Sequence, residues 1–386
     1  MNLRDKLRAI DAKPTRPDTP VREQSFTDCL HIPTYLPPDQ FPGAFSLSRE
    51  TLSLMTAEAL PETLDPRRIL YLDTETTGLG GSGTVAFLVG TGFLTDNGFE
   101  VHQFLLRDYP EEPYLLKHIA AGLGHFDVLC TFNGKTFDVP LLQSRFLMNR
   151  MDPTPLEIPH IDLLQMARRL WRLRLKRCNL GRLEEVILGK PRTDDLPGSE
   201  VPARFFSYLK TGQLCLLDDV LRHNVQDIAS LCVLLNYMSD LYLHPEKINF
   251  PEDVYSMGRA LERNRCYTEA RRCYRLAQRG RMGTEASTAL ARSYRRAGDL
   301  PEAVRVWQQM VSTGRGGVMP LIELAKVAEH QQKDIPAALE YTRRAMVLLA
   351  EPALSGGDTV QSVKNELQYR YERLKRKASQ KENQKP

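Results

Sequence analysis

The chain has 386 residues, of which 42% are hydrophobic and 26% are charged. At roughly 100–200 residues per domain this length predicts two or three domains, and the ordinary composition argues against wholesale disorder. No run of about 18 apolar residues occurs, so we expect no membrane span, and the charged start lacks the apolar stretch of a secretory signal. The 7 cysteines contain no CxxC pair, which argues against a disulfide scaffold or a cysteine-rich zinc module. We expect a cytoplasmic protein with reduced thiols.

The net charge is small, because 52 Lys and Arg face 48 Asp and Glu, giving +4. Two segments carry a local excess: residues 163–192 contain nine basic and two acidic residues, and residues 370–386 contain seven basic and two acidic residues. Such stretches suit a polyanion such as nucleic acid. A solvated helix face and a frayed tail would have the same composition.

The first 60 residues contain frequent prolines, for example Pro14, Pro20, Pro33 and Pro42. Proline lacks the N–H group that helices and sheets need. We therefore predict an extended Pro-rich arm over residues 1–60.

Strand signals follow the arm. The apolar run Ile69–Leu72 ends at an acidic segment and a Gly-rich turn. The segment Thr84–Thr95 is β-branched and aromatic, Asp96-Asn97-Gly98 is a hairpin signal, and Phe99–Leu106 alternates as a returning strand. This order predicts a three-stranded antiparallel meander.

Helices and a further strand come next. Pro113–Gly122 is predicted to be a helix and Phe126–Phe132 a buried strand, and Thr136 is the expected cap of the next helix. From Asp162 to Asn236 we predict mostly helix, interrupted by a loop at Gly189–Pro202. Strands followed by helices in this order indicate an α/β domain with a mixed sheet over residues 61–245.

Beyond residue 250 the sequence is all-helical and self-similar. The alanines Ala270, Ala303 and Ala338 are spaced by 33 and 35 residues. This period is typical of tetratricopeptide-type helical hairpins, each of which needs a neighbour to bury its apolar face. A plain helical bundle is the alternative. We predict helical repeats over residues 250–352 and a basic helix and tail over residues 353–386.

Two carboxylates, Asp73 and Glu75, stand in the segment DTETTGL. Residues i and i+2 on one strand point to the same face, where two acids repel each other unless a cation lies between them. Hard oxygen ligands of this kind suit Mg²⁺ or Mn²⁺. A pair of acids on an edge strand is the structural alternative.

Two more acids follow in the sequence. Asp138 comes after a buried strand and an Asn-bearing turn, and it opens a predicted helix, where backbone N–H groups favour anions. His223 and Asp227 are four residues apart on a predicted helix and therefore share a face. A carboxylate for metal and an imidazole for proton transfer can thus reach one site. Taken alone, each pattern is more often an ordinary surface feature.

The order of Asp73, Glu75, Asp138 and Asp227 resembles that of the DEDD 3′–5′ exonuclease superfamily, and DTETTGL is similar to its first motif. Residues 27–241 also resemble the bacterial YprB-type RNase H-like family, in the segments His160–Leu163, Asn179–Glu184, Arg192–Gly198 and Val201-Pro202. The resemblance implies an RNase H-like mixed sheet with flanking helices. It also implies that the four acids hold metal, with Asp73 bridging two ions and with Glu75 and Asp227 completing one shell.

The implied activity is that of a divalent-metal-dependent nuclease, specifically a 3′–5′ exonuclease on single-stranded DNA or RNA. The implied cofactors are two Mg²⁺ or Mn²⁺ ions, which lie about 3.5–4 Å apart in such sites. One ion lowers the pKa of the attacking water, and the other stabilises the leaving 3′ oxygen. The implied catalytic residues are Asp73, Glu75, Asp138, His223 and Asp227. The superfamily's histidine subclass places its histidine five residues before the last Asp, whereas here the spacing is four. His223 can therefore be a base, a substrate contact or a group that orients a ligand.

Seven residues near these motifs are candidates for substrate binding: Thr74, Thr76, Leu79, Asn133, Lys135, Asn224 and Arg192. Arg192 either holds a phosphate or pairs with Asp194 or Asp195. For Asp162, a role as the N-terminal cap of the following helix is favoured over metal binding.

Other functions remain open. The chain can instead be a catalytically silent adaptor that binds nucleic acid or proteins, or an endonuclease or structure-specific resolvase, because the RNase H fold hosts several cutting modes. We expect the basic helix at Arg168–Arg177 to follow a nucleic-acid backbone in a salt-dependent manner. We also expect the helical repeats to recruit a protein partner, although their arginine content allows nucleic acid.

Overall fold

The computed structural model describes residues 28–41, 43–78, 83–192, 196–350 and 358–382. The expectations for Leu79, Asp194 and Asp195, and for the first 27 and last four residues, lie outside the described residues. No helix in the described ranges combines the length and the hydropathy needed to cross a membrane.

The chain forms a sheet domain followed by helices. The strands are β1 (Leu30–Leu36), β2 (Ile69–Thr76), β3 (Ala86–Thr95), β4 (Gly98–Leu105), β5 (Val128–Thr131) and β6 (His160–Asp162). The helices of the sheet domain are α1 (Arg49–Met55), α2 (Glu112–Leu123), α3 (Asp138–Met148), α4 (Leu163–Leu175), α5 (Leu180–Val186), α6 (Val201–Thr211) and α7 (Asp218–Leu243). The later helices are α8 (Pro251–Arg263), α9 (Tyr267–Ala277), α10 (Gly283–Arg296), α11 (Leu300–Ser312), α12 (Met319–His330), α13 (Ile335–Ala350) and α14 (Asp358–Glu382).

The six strands form one mixed sheet in the order β1-β4-β3-β2-β5-β6. Strands β2, β3 and β4 are the antiparallel meander that the sequence predicts. Strand β5 runs parallel to β2, and β6 runs parallel to β5. The predicted mixed sheet with flanking helices and a helical array after it is confirmed.

The described part of the first 60 residues is not an extended arm. Residues 30–36 form β1, which pairs with β4 from Leu30 opposite Leu105 to Leu36 opposite Phe99. An edge strand tolerates Pro33, because the N–H group that proline lacks is not needed on the open side. Helix α1, capped by the side chain of Ser48, also lies in this segment.

Helices cover both faces of the sheet, as the alternation along β2 shows. Ile69 and Tyr71 belong to a core shared with α4 and α7. Leu70 and Leu72 belong to a second core on the opposite face, shared with α2, α3 and α6. Since side chains alternate along a strand, Asp73 and Glu75 lie on the α7 face.

Helices α8 to α13 pack as three successive pairs, α8 with α9, α10 with α11 and α12 with α13. Ala270, Ala303 and Ala338 lie near the start of the second helix of each pair and are fully buried. The core on the α7 face of the sheet continues without a break into this array. The assignment to tetratricopeptide repeats and the domain boundaries stay predictions.

The basic C-terminal helix is partly neutralised within the fold. Glu329 of α12 is 3% exposed. It accepts hydrogen bonds from Arg370 at 3.0 Å, Arg373 at 2.5 Å and Lys377 at 2.8 Å. Three of the basic side chains that suggested a polyanion site therefore dock α14 onto the array.

Candidate active site

The four predicted acids come from three elements that meet at one edge of the sheet. Asp73 and Glu75 lie towards the end of β2, Asp138 is the first residue of α3 after the turn that follows β5, and Asp227 lies on α7. The carboxyl ends of parallel neighbours such as β2 and β5 share an edge, which is where α/β sheets bind ligands. The Thr74 hydroxyl donates to Asp138 Oδ1 at 2.5 Å and links two of these elements.

Burial and mutual repulsion disturb the titration of three of these acids. Burial, followed by the negative charges of Asp227, Glu75 and Asp138, raises the pKa of Asp73 well above its usual value. Burial is also the main cause that raises the pKa of Glu75 to about 7 and that of Asp138 to about 6. Burial and like charges both disfavour the charged form of these carboxylates. A divalent cation would offset both effects, so the three acids suit a cation site.

Among the four acids, no three carboxylate oxygens from different residues all lie within 4.8 Å of one another. The described group in which three ligand atoms all lie within 4.8 Å of one another is instead Asp28, Cys29 and His118. In this group, Asp28 Oδ1 lies 2.7 Å from His118 Nε2. Burial, with the nearby negative charge of Asp28, raises the pKa of Cys29 to about 12 and so disfavours the thiolate form that binds metal. No local sequence signal marks this set, because His118 is far from Cys29 along the chain.

Asp227 is held by two cationic side chains. Arg192 donates to Asp227 Oδ1, and His223 Nε2 lies 3.3 Å from Asp227 Oδ2. The hydrogen bond to Asp227 is the main cause that raises the pKa of His223 to about 9, so the imidazole is protonated at neutral pH here. The predicted sharing of one face by His223 and Asp227 is confirmed.

Arg192 has partners that are not its neighbours in the sequence. Besides Asp227, it forms an ion pair with Glu184 of α5, which is 1% exposed. The Ser230 hydroxyl also donates to Glu184 and ties α5 to α7. Arg192 thus lies beside the acids, as expected of a phosphate-binding residue, but it is bound to two carboxylates.

Asn224 is fully buried and donates a hydrogen bond to Asp73, and its predicted contact with substrate stays a prediction. Its Nδ2 donates to Asp73 Oδ2 at 2.9 Å, and its Oδ1 accepts from Gln103 Nε2 at 2.9 Å. Gly90 on β3 makes room for this side chain, since a Cβ atom there would lie 2.1 Å from Asn224 Oδ1. No local sequence signal marks this contact, because Gln103 and Gly90 lie on other elements.

Asp162 organises the turn that leads to Asp138. It accepts the N–H of Leu164 at 3.0 Å, which confirms its predicted role as the cap of α4. The same carboxylate accepts the N–H groups of Asn133 at 2.9 Å and Lys135 at 3.3 Å. Asn133 has a left-handed backbone with φ 72° and needs such support.

The expectation that Thr136 caps α3 is wrong. Its hydroxyl donates to Asn133 Oδ1 at 2.8 Å, so it closes the turn instead. Helix α3 begins at Asp138 with no side-chain cap. The N–H groups of Thr136 and Phe137 both donate to the carbonyl oxygen of Asn133 at 3.1 Å, so both residues belong to the turn and the helix begins after it.

The remaining substrate candidates already have partners. The Thr76 hydroxyl is buried and donates to the carbonyl oxygen of Gly78 at 2.7 Å. Lys135 Nζ is paired with Glu58. Both side chains lie close to the acids along the chain, and contact with a substrate stays a prediction.

Comparison with known proteins agrees with this architecture. The family model described as the RNase H superfamily matches residues 70–239. The protein YprB of Bacillus subtilis (strain 168) is 32% identical over 354 residues, which cover 87% of this chain and 82% of YprB. Among solved structures, the family B DNA polymerase from the hyperthermophilic archaeon Pyrobaculum calidifontis matches with a TM-score of 0.37 and 16% identity, over 52% of this chain and 29% of the polymerase. The chain therefore belongs to the YprB family, and the match of residues 70–239 to the RNase H superfamily model supports a nuclease-type function.

Proposed function

We propose that the chain is a divalent-metal-dependent nuclease that acts as a 3′–5′ exonuclease on single-stranded DNA or RNA. The observation that carries the proposal is the group of four acids at one sheet edge, in which burial and then neighbouring negative charges raise the pKa values of Asp73 and Glu75. Buried like charges cost stability, and a cation or a hydrogen-bond network must offset that cost. The match of residues 70–239 to the RNase H superfamily model supports the same chemistry.

Asp73, Glu75, Asp138 and Asp227 would hold two Mg²⁺ or Mn²⁺ ions. Such ions, when bound, lower the pKa of an attacking water and stabilise the leaving 3′ oxygen. The oxygen-only donor set fits these hard cations better than zinc.

The other residues of the site position these ligands. Thr74 fixes Asp138 through its hydroxyl, and Asn224 fixes Asp73 through its amide. His223 is held against Asp227, where it can orient that carboxylate or exchange a proton with water.

Arg192 is the proposed phosphate contact at this site. A guanidinium binds carboxylate and phosphate in the same forked geometry, so a phosphate oxygen of the substrate can replace Asp227 as its partner. The ion pair with Glu184 would keep Arg192 in place during this exchange.

The test uses the purified full chain with Mg²⁺ or Mn²⁺ and end-labelled single- and double-stranded DNA and RNA. We expect a single strand labelled at its 5′ end to shorten stepwise from the 3′ end, and chelation of the metal to stop the reaction. Asp138→Asn and Asp73→Ala should abolish turnover, whereas Asp39→Asn, at an exposed carboxylate outside the site, should not.

Two results would overturn the proposal in different ways. Binding without turnover would identify an adaptor. Internal cuts that leave no nucleotide ladder would identify an endonuclease or a resolvase.

A further inference from the structure

A second basic site lies at the junction of the sheet domain and the helical array. There, α4 and α8 enclose a cleft of about 560 Å³. Its lining includes five arginines, three from α4 and two from α8: Arg168, Arg169, Arg172, Arg259 and Arg263. The helical array therefore contributes charge to the same cleft as the basic helix of the sheet domain.

These arginines differ from their neighbours in lacking acidic partners. No acidic residue lines the cleft, and none of the five forms an ion pair with a residue in the described ranges. Nearby arginines are paired, for example Arg174 with Asp253 and Arg296 with Glu262. Five uncompensated positive charges facing one cleft repel each other, and an anion between them would remove that cost.

The two helices are fixed relative to each other, so the repulsion cannot be relieved by separating them. Arg174 Nη2 lies 2.7 Å from Asp253 Oδ2 in a buried ion pair across the junction. The Arg174 guanidinium also lies 4.0 Å from the centroid of the Phe250 ring. Apolar residues of α4 and α8 belong to one continuous core. The cleft is thus a preformed feature of the fold.

Basic residues connect this cleft with the acids. A second cleft of about 760 Å³ is lined by Lys176, Arg177, Arg182 and Arg192, and Arg192 contacts Asp227. Arg168 and Arg172 are four residues apart and share a face of α4, and Lys176 follows the last residue of the helix with a left-handed backbone at φ 63°. This basic stripe leads from the arginine cleft to the second cleft, and its helical part from Arg168 to Arg172 spans about 6 Å.

We propose that the arginine cleft between α4 and α8 binds backbone phosphates of the nucleic-acid strand whose end lies at the acids. This inference rests on the proposed nuclease function, and it assigns to the first helix pair of the array a role in holding the substrate. Arginine suits this role, because it donates several hydrogen bonds to phosphate oxygens and carries no sequence preference there. The continuity of the basic stripe with the acidic site favours a nucleic-acid strand over an acidic protein segment.

The test is the affinity of the full chain for fluorescently labelled 20-nucleotide single-stranded DNA and RNA, measured by anisotropy in chelator so that no strand is cut. The double variant Arg259→Gln/Arg263→Gln should bind about tenfold more weakly at about 100 mM salt. The slope of log affinity against log salt should become shallower by about 1.4, since each lost phosphate contact on a single strand contributes about 0.7. The double variant Arg259→Lys/Arg263→Lys should retain most of the affinity.

The control is Arg279→Gln/Arg292→Gln, which removes the same charge from two exposed array arginines outside the cleft. It should bind like the unmodified chain. Equal affinity and equal salt slope for Arg259→Gln/Arg263→Gln and this control would overturn the inference, as would no binding of either nucleic acid by the unmodified chain.

A cleavage assay separates this inference from the proposed function. Release of nucleotides from a dinucleotide should be unchanged in Arg259→Gln/Arg263→Gln, while cleavage of the 20-nucleotide strand at low concentration should fall. Loss of affinity in this variant together with no metal-dependent cleavage by the unmodified chain would leave the cleft established and the nuclease proposal refuted.

Discussion

At the scale of single residues, side chains outside the acid set fix where the acids lie. Asn224 holds Asp73, and Asp162 holds the turn that leads to Asp138. Both are buried, so their polar atoms must find partners within the fold. Outer residues of this kind tune a metal site through the orientation of its ligands.

Replacement of Asn224 by alanine tests this role. The change leaves Gln103 Nε2 with one acceptor, the Leu221 carbonyl, and removes the donor from Asp73 Oδ2. We expect Asn224→Ala to lower the free energy of unfolding by about 1–3 kcal/mol, as measured by urea denaturation. We also expect its affinity for Mn²⁺ to fall about 10–100-fold.

The matched control is Asn365→Ala on the exposed face of α14, which should change neither quantity. An Asn224→Ala protein that loses stability but binds Mn²⁺ with unchanged affinity would show that Asn224 supports the fold and not the ligand.

At the scale of elements, the last helix depends on one buried carboxylate. Glu329 receives hydrogen bonds from three basic residues of α14. Leu367 and Leu374 of the same helix are also buried. The ion pairs with Glu329 fix the position of α14 along the array.

Glu329→Gln should loosen this helix. The substitution removes the counter-charge of three partly exposed cations, and the loss of a hydrogen bond to a charged group costs about 1.5–3 kcal/mol. Hydrogen exchange of the α14 amides should therefore become much faster, with little change in the sheet. Glu366→Gln, at an exposed position of α14, should leave the exchange unchanged, and equal protection in both variants would contradict this interpretation.

The elements with clear periodicity could be predicted from the sequence, and those with weak local signals could not. The meander has long β-branched runs and an Asn-Gly turn, so β2, β3 and β4 were predictable. Strand β6 has three residues, too few for a pattern, and Pro33 concealed β1 because it stands on an edge strand. For the site, the order of the acids was visible in the motifs, whereas the contacts of Glu184 and Gln103 depend on residues brought together by folding.

At the scale of the whole molecule, the sheet domain and the array share one core. Buried residues of α4 and α7, such as Ala167 and Tyr242, belong to the same cluster as Met257 of α8. The ion pair of Arg174 with Asp253 crosses the same junction. The sheet domain is therefore stabilised by the helices that follow it.

A shortened chain that ends at residue 248 should be less stable than the full chain by at least about 3 kcal/mol, since it leaves Arg174 without its partner and exposes apolar core. The measurement is the urea midpoint followed by fluorescence of Trp171, which lies in the sheet domain, in a Trp307→Phe background. A chain that lacks only residues 358–386 should keep the midpoint of the sheet domain. An unchanged urea midpoint in the chain that ends at residue 248 would show that the array does not stabilise the sheet domain.

The most direct measurement is the number of Mn²⁺ ions bound by the full chain, determined by electron paramagnetic resonance of free Mn²⁺. If the four acids form the metal centre, the chain binds two ions, and Asp73→Asn loses them while His118→Gln keeps both. Full binding by Asp73→Asn together with loss in His118→Gln would place the metal at Asp28, Cys29 and His118 and would contradict a nuclease centre at the four acids.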